Sequence, residues 1–390
     1  MSRMVMRNGM RLRELASSMG WRRRVGRVLM VSGLAGVLAL SGCGKFFPKL
    51  TTGGGTGSGG DYLYAGNLGT SEPTVAGFSI ASSALTVASN SPYTVSLTPT
   101  SLAVTPDDNY LFVGGPGGIY TYAIGSGGDL TEAGNDTFAQ VPDPTVLRVD
   151  PTGNYLLGGD ALSGTVYVFQ IGSDGALSQV GSTLTLNANE PVTDMEFASN
   201  GSNTYLYASL GTAGIYAMSF SGGTLSELND GNYAPKKSDA ADEGMAVAPD
   251  GDTLFAAETV TGGVRVFTIN SNGSLTESTS SPVTTGTAPW AVLVDATGSY
   301  VYVADRTKAQ ISAFSLASGK LTAIGSPIAT GDLPVQMVED NSKTYVAVVC
   351  TGGNPDVELY TIGTTGALTK FTTATTGTDP TEASSLAATH

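Results

Sequence analysis

Residues 289–321, PWAVLVDATGSYVYVADRTKAQISAFSLASGKL, read as three short strands joined by two tight turns, with a fourth strand opening at Leu321. Apolar residues alternate in AVLV, in YVYVA and in ISAFSL, and the breaks carry Asp-x-x-Gly or Ser-Gly, the residue types that tight turns need. Four strands this short cannot hide both faces of their sheet. The unit therefore has to be one of several.

Three anchors of the unit recur along the chain. The leucine that opens the fourth strand returns at Leu85, Leu130, Leu177, Leu225, Leu275, Leu321 and Leu368, a period near 47 residues. The aromatic-rich second strand returns as DYLYAG, NYLFVG, NYLLGG, TYLYAS, DTLFAA, SYVYVA and TYVAVV. A proline leads into the first strand at Pro99, Pro144, Pro191, Pro289, Pro334 and Pro380, and in the fifth copy Asp242 holds that place. Seven strand-only repeats of this length imply an all-β, seven-bladed β-propeller of four-stranded antiparallel blades. Helical solenoids have repeats of similar length but are built from helix pairs.

The repeat begins in mid-unit. Residues 61–66 match a second strand, while residues 380–387, PTEASSLA, match a proline-led first strand with nothing after it. The C-terminal strand should therefore pair into the N-terminal blade and close the ring, removing the exposed sheet edges. With the first strand taken as running downward, turns such as DPTGN and DATGS lie on the bottom face. The longer connections between strands two and three, and between blades, lie on the top face, where a site is expected.

Residues 1–42 have a different character. Arg22, Arg23, Arg24 and Arg27 precede a thirteen-residue apolar run from Val28 to Leu40, too short to span a bilayer and typical of a signal peptide. The run ends in Leu40-Ser41-Gly42-Cys43, which resembles a bacterial lipobox and implies that Cys43 is lipidated. Gly44 is not the aspartate associated with inner-membrane retention, so the expectation is an extracytoplasmic protein held at the outer membrane or cell surface. Residues 43–60, rich in Gly, Thr and Ser, form a flexible tether of roughly 20–25 Å, and residues 61–390 form the ring. Beyond residue 42 the chain holds 11 basic and 32 acidic residues, a formal net of −21, which excludes nucleic acid and anionic lipid as partners of the ring. A monomer is expected. The other cysteine, Cys350, reads as a small buried apolar residue.

The proline-led first strand, Pro-Asp-Gly, Tyr-Leu-Tyr-Ala, Val-x-x-Phe-x-Ile and Gly-x-Leu-Thr together resemble the lactonase-type and YVTN-repeat propellers, over the whole ring. The resemblance implies 6-phosphogluconolactonase-like chemistry with His, Arg and Glu side chains near the channel. This sequence has one histidine, His390, and none elsewhere that could act as a general acid or base. The leading expectation is accordingly a ring that binds a ligand or protein partner through its top face. A lactone or ester hydrolase and a passive envelope module are the alternatives.

Several residues are candidates for a site. Asp239, Asp242 and Glu243 enter the fifth first strand in SDAADEGMAV, and Asp194 and Glu196 occupy the same region one blade earlier in PVTDMEF. These carboxylates suit a base for ester hydrolysis or the oxygen ligands of a divalent cation; no other cofactor is expected. Arg148, the one basic residue on a first strand, suits an anionic substrate group or a neighbouring carboxylate. Trp290 at the channel mouth suits stacking on a ring or packing under a loop. Arg265, Asp305 and Arg306 read as surface ion-pair residues, and Asp107, Asp150, Asp250 and Asp295 as turn residues.

Overall fold

The computed structural model describes residues 60–390 apart from 70–71, 82–83, 135–138, 188–189 and 378–382. The signal segment, Cys43 and the tether up to residue 59 lie outside the described residues, as do Pro380 and Glu382. Among the described residues there is no helix, and the strands form seven antiparallel sheets in a ring. Blade 6 runs Pro289–Val294, Tyr300–Asp305, Gln310–Ala317 and Lys320–Ala329, as its sequence predicts. In blades 1, 3 and 5 the outermost position is shared by two short pieces. Leu275–Glu277 and Val283–Thr284, for example, both pair with Gly263–Ile269.

The C-terminal strand closes the ring as its sequence suggests. Ala383–Ala388 pairs antiparallel with Tyr62–Asn67, placing Leu63 opposite Ala388 and Gly66 opposite Ser385. Thr389 extends the join, because its hydroxyl accepts from Tyr62 N at 2.9 Å and its own N–H donates to Tyr62 O at 2.9 Å.

Apolar clusters fill the spaces between blades. One of them joins Tyr302 and Ala304 of blade 6 to Val346 and Val348 of blade 7. Second strands such as Tyr62–Asn67 and Tyr345–Cys350 are buried at every residue, since a neighbouring blade covers each face. Cys350 is fully buried, as its sequence position suggests.

The Tyr-x-Tyr signature has a specific structural task. Tyr64, Tyr207 and Tyr302 donate to the carbonyls of Gly128, Gly273 and Gly366 at 3.0, 2.9 and 3.1 Å, each in the outer turn of the following blade. The first tyrosine of each pair (Tyr62, Tyr205, Tyr300) reaches the same turn two residues earlier, at Ser126, Ser271 and Thr364. These glycines have φ of 76°, 81° and 78°. A Cβ on them would lie 2.2–2.4 Å from the ring of that first tyrosine, so both backbone and contact demand glycine. The bottom aspartates act as turn residues, as read. Asp150 Oδ1 accepts from Asn154 N at 2.8 Å and Tyr155 N at 2.7 Å, and Asp295 and Asp340 repeat the arrangement.

Candidate active site

The seven inner strands stand around a channel of about 1080 Å³. In five blades the inner strand slips register by one residue just after its entry, at Thr145, at Glu243-Gly244, at Trp290, at Val335 and at Ser384. A bulge re-aims the extra residue, and all five of these positions line the channel. Proline suits the entry because it has no N–H to pair where the ladder is broken. Hydroxyls at this level also tie blade to blade: Thr100 donates to Pro144 O and Thr145 to Val192 O, each at 2.6 Å, and Ser384 to Pro99 O at 2.7 Å. In blade 5 the approach to blade 6 is too close for a side chain, since a Cβ on Gly244 would lie 2.4 Å from Trp290 O.

On the channel wall the structure brings together three residues singled out in the sequence. Asp194 and Glu196 stand two apart on one strand and so share a side of it. Arg148 reaches them from blade 3, with Nη2 2.7 Å from Asp194 Oδ1 and 3.0 Å from Glu196 Oε1, while Nε donates to the same Glu196 oxygen at 3.3 Å. Arg148 Nη1 donates to Leu147 O at 3.1 Å. Asp194 is further fixed by Met195 N at 2.8 Å and Met245 N at 2.7 Å. Glu196 Oε2 accepts no hydrogen bond among the described residues, and the side chain is 25% exposed. Burial raises the carboxyl pKa of Asp194, against the opposing pull of Arg148 and the two N–H groups. Glu196 is pushed up to about 7, by burial first and by the neighbouring Asp194, again against Arg148. The oxygens that a divalent cation would need thus face a guanidinium. No group of three metal-ligating side chains occurs among the described residues.

Asp242, a candidate base beside Glu243, is turned away from the channel. Adjacent residues on a strand point to opposite sides, and Asp242 points into the ring wall, where it is fully buried. Its Oδ2 accepts from Arg265 Nη1 at 2.6 Å. Arg265 also donates to Glu277 at 3.1 Å and to the carbonyls of Tyr233 and Ala234 at 3.1 and 3.2 Å. Arg265 is therefore no surface residue; it is 2% exposed and bolts blade 5 to the last strand of blade 4. Asp305 is buried as well. Burial would raise its pKa, but the N–H groups of Lys308, Thr287, Ala288 and Thr307 outweigh that effect and hold the carboxyl below its ordinary range. Asp239 stands exposed at the surface and outside the channel lining.

At the top mouth, Trp290 is half-buried and the Arg306 guanidinium lies 4.2 Å from the indole centroid. Glu243 faces the same space; burial raises its pKa to about 7 and Arg306 partly offsets this. Arg306 is the residue the sequence reading missed as part of the site. Its signal is positional, since it follows the last residue of a second strand, directly across from the bulge that carries Trp290. His390 lines the opposite end, where its N–H donates to Asp108 Oδ1 at 2.8 Å and its Nδ1 lies 3.2 Å from the same oxygen.

A family model described as a lactonase, seven-bladed β-propeller matches residues 63–384. The chain belongs to that lactonase family. Among solved structures, this lactonase-family ring is similar to a putative 6-phosphogluconolactonase from Bacteroides fragilis, with a TM-score of 0.71 and 17% identity over 86% of this chain and 99% of that one. It is also similar to the periplasmic gluconolactonase of Pseudomonas aeruginosa, with a TM-score of 0.69 and 17% identity over 85% and 99% of the two chains. A third likeness is to a protein from Lactobacillus plantarum, with a TM-score of 0.68 and 20% identity over 85% and 100%. At these identities the structural likeness is one of fold. No curated protein matches the sequence.

Proposed function

We propose that this ring opens lactones by adding water inside its channel. The reading is supported by the family membership and, above all, by Glu196, which Arg148 holds through one carboxylate oxygen while the other stays open to the channel. In this scheme Glu196 Oε2 takes a proton from a water whose oxygen adds to the lactone carbonyl carbon. The ring C–O bond then breaks, and the departing alkoxide recovers that proton, giving the hydroxy acid. A carboxylate with a pKa near 7 is matched to proton transfer near neutral pH. Once Glu196 holds that proton, Arg148 is balanced by Asp194 alone, so the cluster sheds its excess negative charge as the oxyanion develops on the carbonyl. Glu243 is a weaker choice of base, as its side chain accepts no hydrogen bond among the described residues and so is not oriented. A histidine is not required by this chemistry.

The test is a panel of sugar lactones and simpler lactones, with spontaneous hydrolysis subtracted. Because Glu196 is raised to about 7, its basic form is depleted below that pH and complete above it. The ratio kcat/KM should rise with pH through about 7 and then level. No acceleration across the panel would return the channel to the role of a ligand-binding site.

We place the protein outside the cytoplasm, anchored through Cys43. Replacing Cys43 with Ser should move the protein from the membrane fraction to the soluble fraction. Unchanged sedimentation with membranes would remove the anchor. Stable retention requires more than one acyl chain, each contributing about 0.8 kcal/mol per buried CH₂.

A further inference from the structure

We infer that the lactone admitted by this channel is an uncharged, polyhydroxylated ring rather than a phosphorylated one; the inference rests on the lactone-opening reading of the same site. Among the described residues six carboxylates line the channel, Asp150, Glu190, Asp194, Glu196, Glu243 and Glu339, against the cations Arg148, Arg306 and Lys343. Each cation has a carboxylate near enough to feel its charge. Arg148 is held between Asp194 and Glu196, Arg306 offsets the charge of Glu243, and Lys343 offsets that of Glu339. Above about pH 7, where Glu196 and Glu243 are ionised, the walls carry an excess of negative charge.

A phosphomonoester brings a charge of about −1.5 to −2 near neutral pH and is held by forked arginines or clustered N–H donors with charge to spare. The described lining offers no such set of donors with charge to spare: Arg306 stands alone at the mouth, stacked on Trp290 and sharing its charge with Glu243. The one guanidinium deep in the wall spends its Nε and Nη2 on two carboxylates and an Nη1 bond on Leu147 O. Field lines concentrate in a narrow channel with low-dielectric walls, so walls of one sign reject a like-charged solute more strongly than an open surface would. For a neutral sugar ring the same lining is favourable. Trp290 brings its indole to the mouth, one face covered by Arg306, and carboxylates accept hydrogen bonds from ring hydroxyls. Glu243, at the bulge beside Trp290, becomes the residue that sets the preference.

The test compares glucono-1,5-lactone with its 6-phosphate as substrates of the full-length protein at low ionic strength and about pH 8, where Glu196 and Glu243 are ionised. The value of kcat/KM for the unphosphorylated lactone should be higher by about tenfold or more. The gap should shrink as salt is raised, and should shrink several-fold in Glu243→Gln. An equilibrium arm does not depend on turnover: 1,5-anhydroglucitol should bind more tightly than 1,5-anhydroglucitol 6-phosphate by calorimetry. Equal or better handling of the phosphorylated compound in either arm overturns the inference, as does a preference indifferent to both salt and Glu243→Gln, or binding of neither analogue. Loss of turnover on both lactones with the binding preference intact would fail the catalytic reading alone and support the charge argument.

Discussion

Deleting residues 383–390 abolishes cooperative folding of the ring. The lost strand is more than an edge, because Ala383 and Leu386 belong to an apolar cluster with Leu63, Phe78, Tyr345 and Val357, while Ala387 packs on the other side with Tyr64, Leu102 and Leu111. It also carries hydrogen bonds to both neighbouring blades: Ser384 donates to Pro99 O, Leu386 N donates to Gln336 Oε1 at 2.9 Å, and Thr351 donates to Ala383 O at 2.9 Å. Removing it strips Tyr62–Asn67 of its inner partner and opens the interfaces of blade 1 with blades 7 and 2. Domains are stable by only about 5–15 kcal/mol, and several buried side chains are lost together with a whole ladder of hydrogen bonds. A milder variant calibrates the effect. Leu386→Ala, at a site 1% exposed, should cost about 2–5 kcal/mol in denaturant unfolding while leaving one cooperative transition. If the truncated chain melts like the intact one, closure by this strand does not stabilise the ring.

Glu196→Gln lowers kcat/KM for lactone opening by about 10²–10⁴, the range that general-base assistance contributes. The substitution keeps the shape of the side chain and an oxygen for Arg148 to bind, so the channel wall should stay in place. Two readouts separate loss of the base from disturbance of the fold: the thermal midpoint, which should not fall, and the pH limb near 7, which should vanish. The stability linkage runs in a definite direction. Glu196 has a pKa in the fold above that of an ordinary glutamate, so its contribution to stability is complete below about 4.5 and is lost as pH rises through about 7. Removing the ionisable group should therefore make the ring, if anything, more stable in mildly alkaline solution. A variant that retains the parent rate would shift the assignment of the base to Glu243.

The sequence alone determined the architecture, down to the pairing that closes the ring. A short strand can be recognised from a handful of alternating residues and its turn, and seven repetitions of the same anchors make that local signal unambiguous. The Tyr-x-Tyr motif and the turn glycines were legible as a pattern, although their mutual contact, 64 to 66 residues apart, was not. For the channel, Arg148, Asp194 and Glu196 could be picked out as charges on inner strands. Their joining into one cluster depended on which inner strands stand next to each other and which way each residue turns.

Tertiary structure decided that Asp242 and Glu243, neighbours in sequence with the same chemistry, do opposite things. One is sealed against Arg265 in the ring wall, and the other faces the channel mouth with Trp290 and Arg306. Their opposite directions follow the alternation of the strand, and the bulge at Glu243-Gly244 sets the phase of the residues after it. A bulge is a property of how two strands meet. Sequence periodicity gives the two faces of a strand, but only the packed ring says which face is the channel.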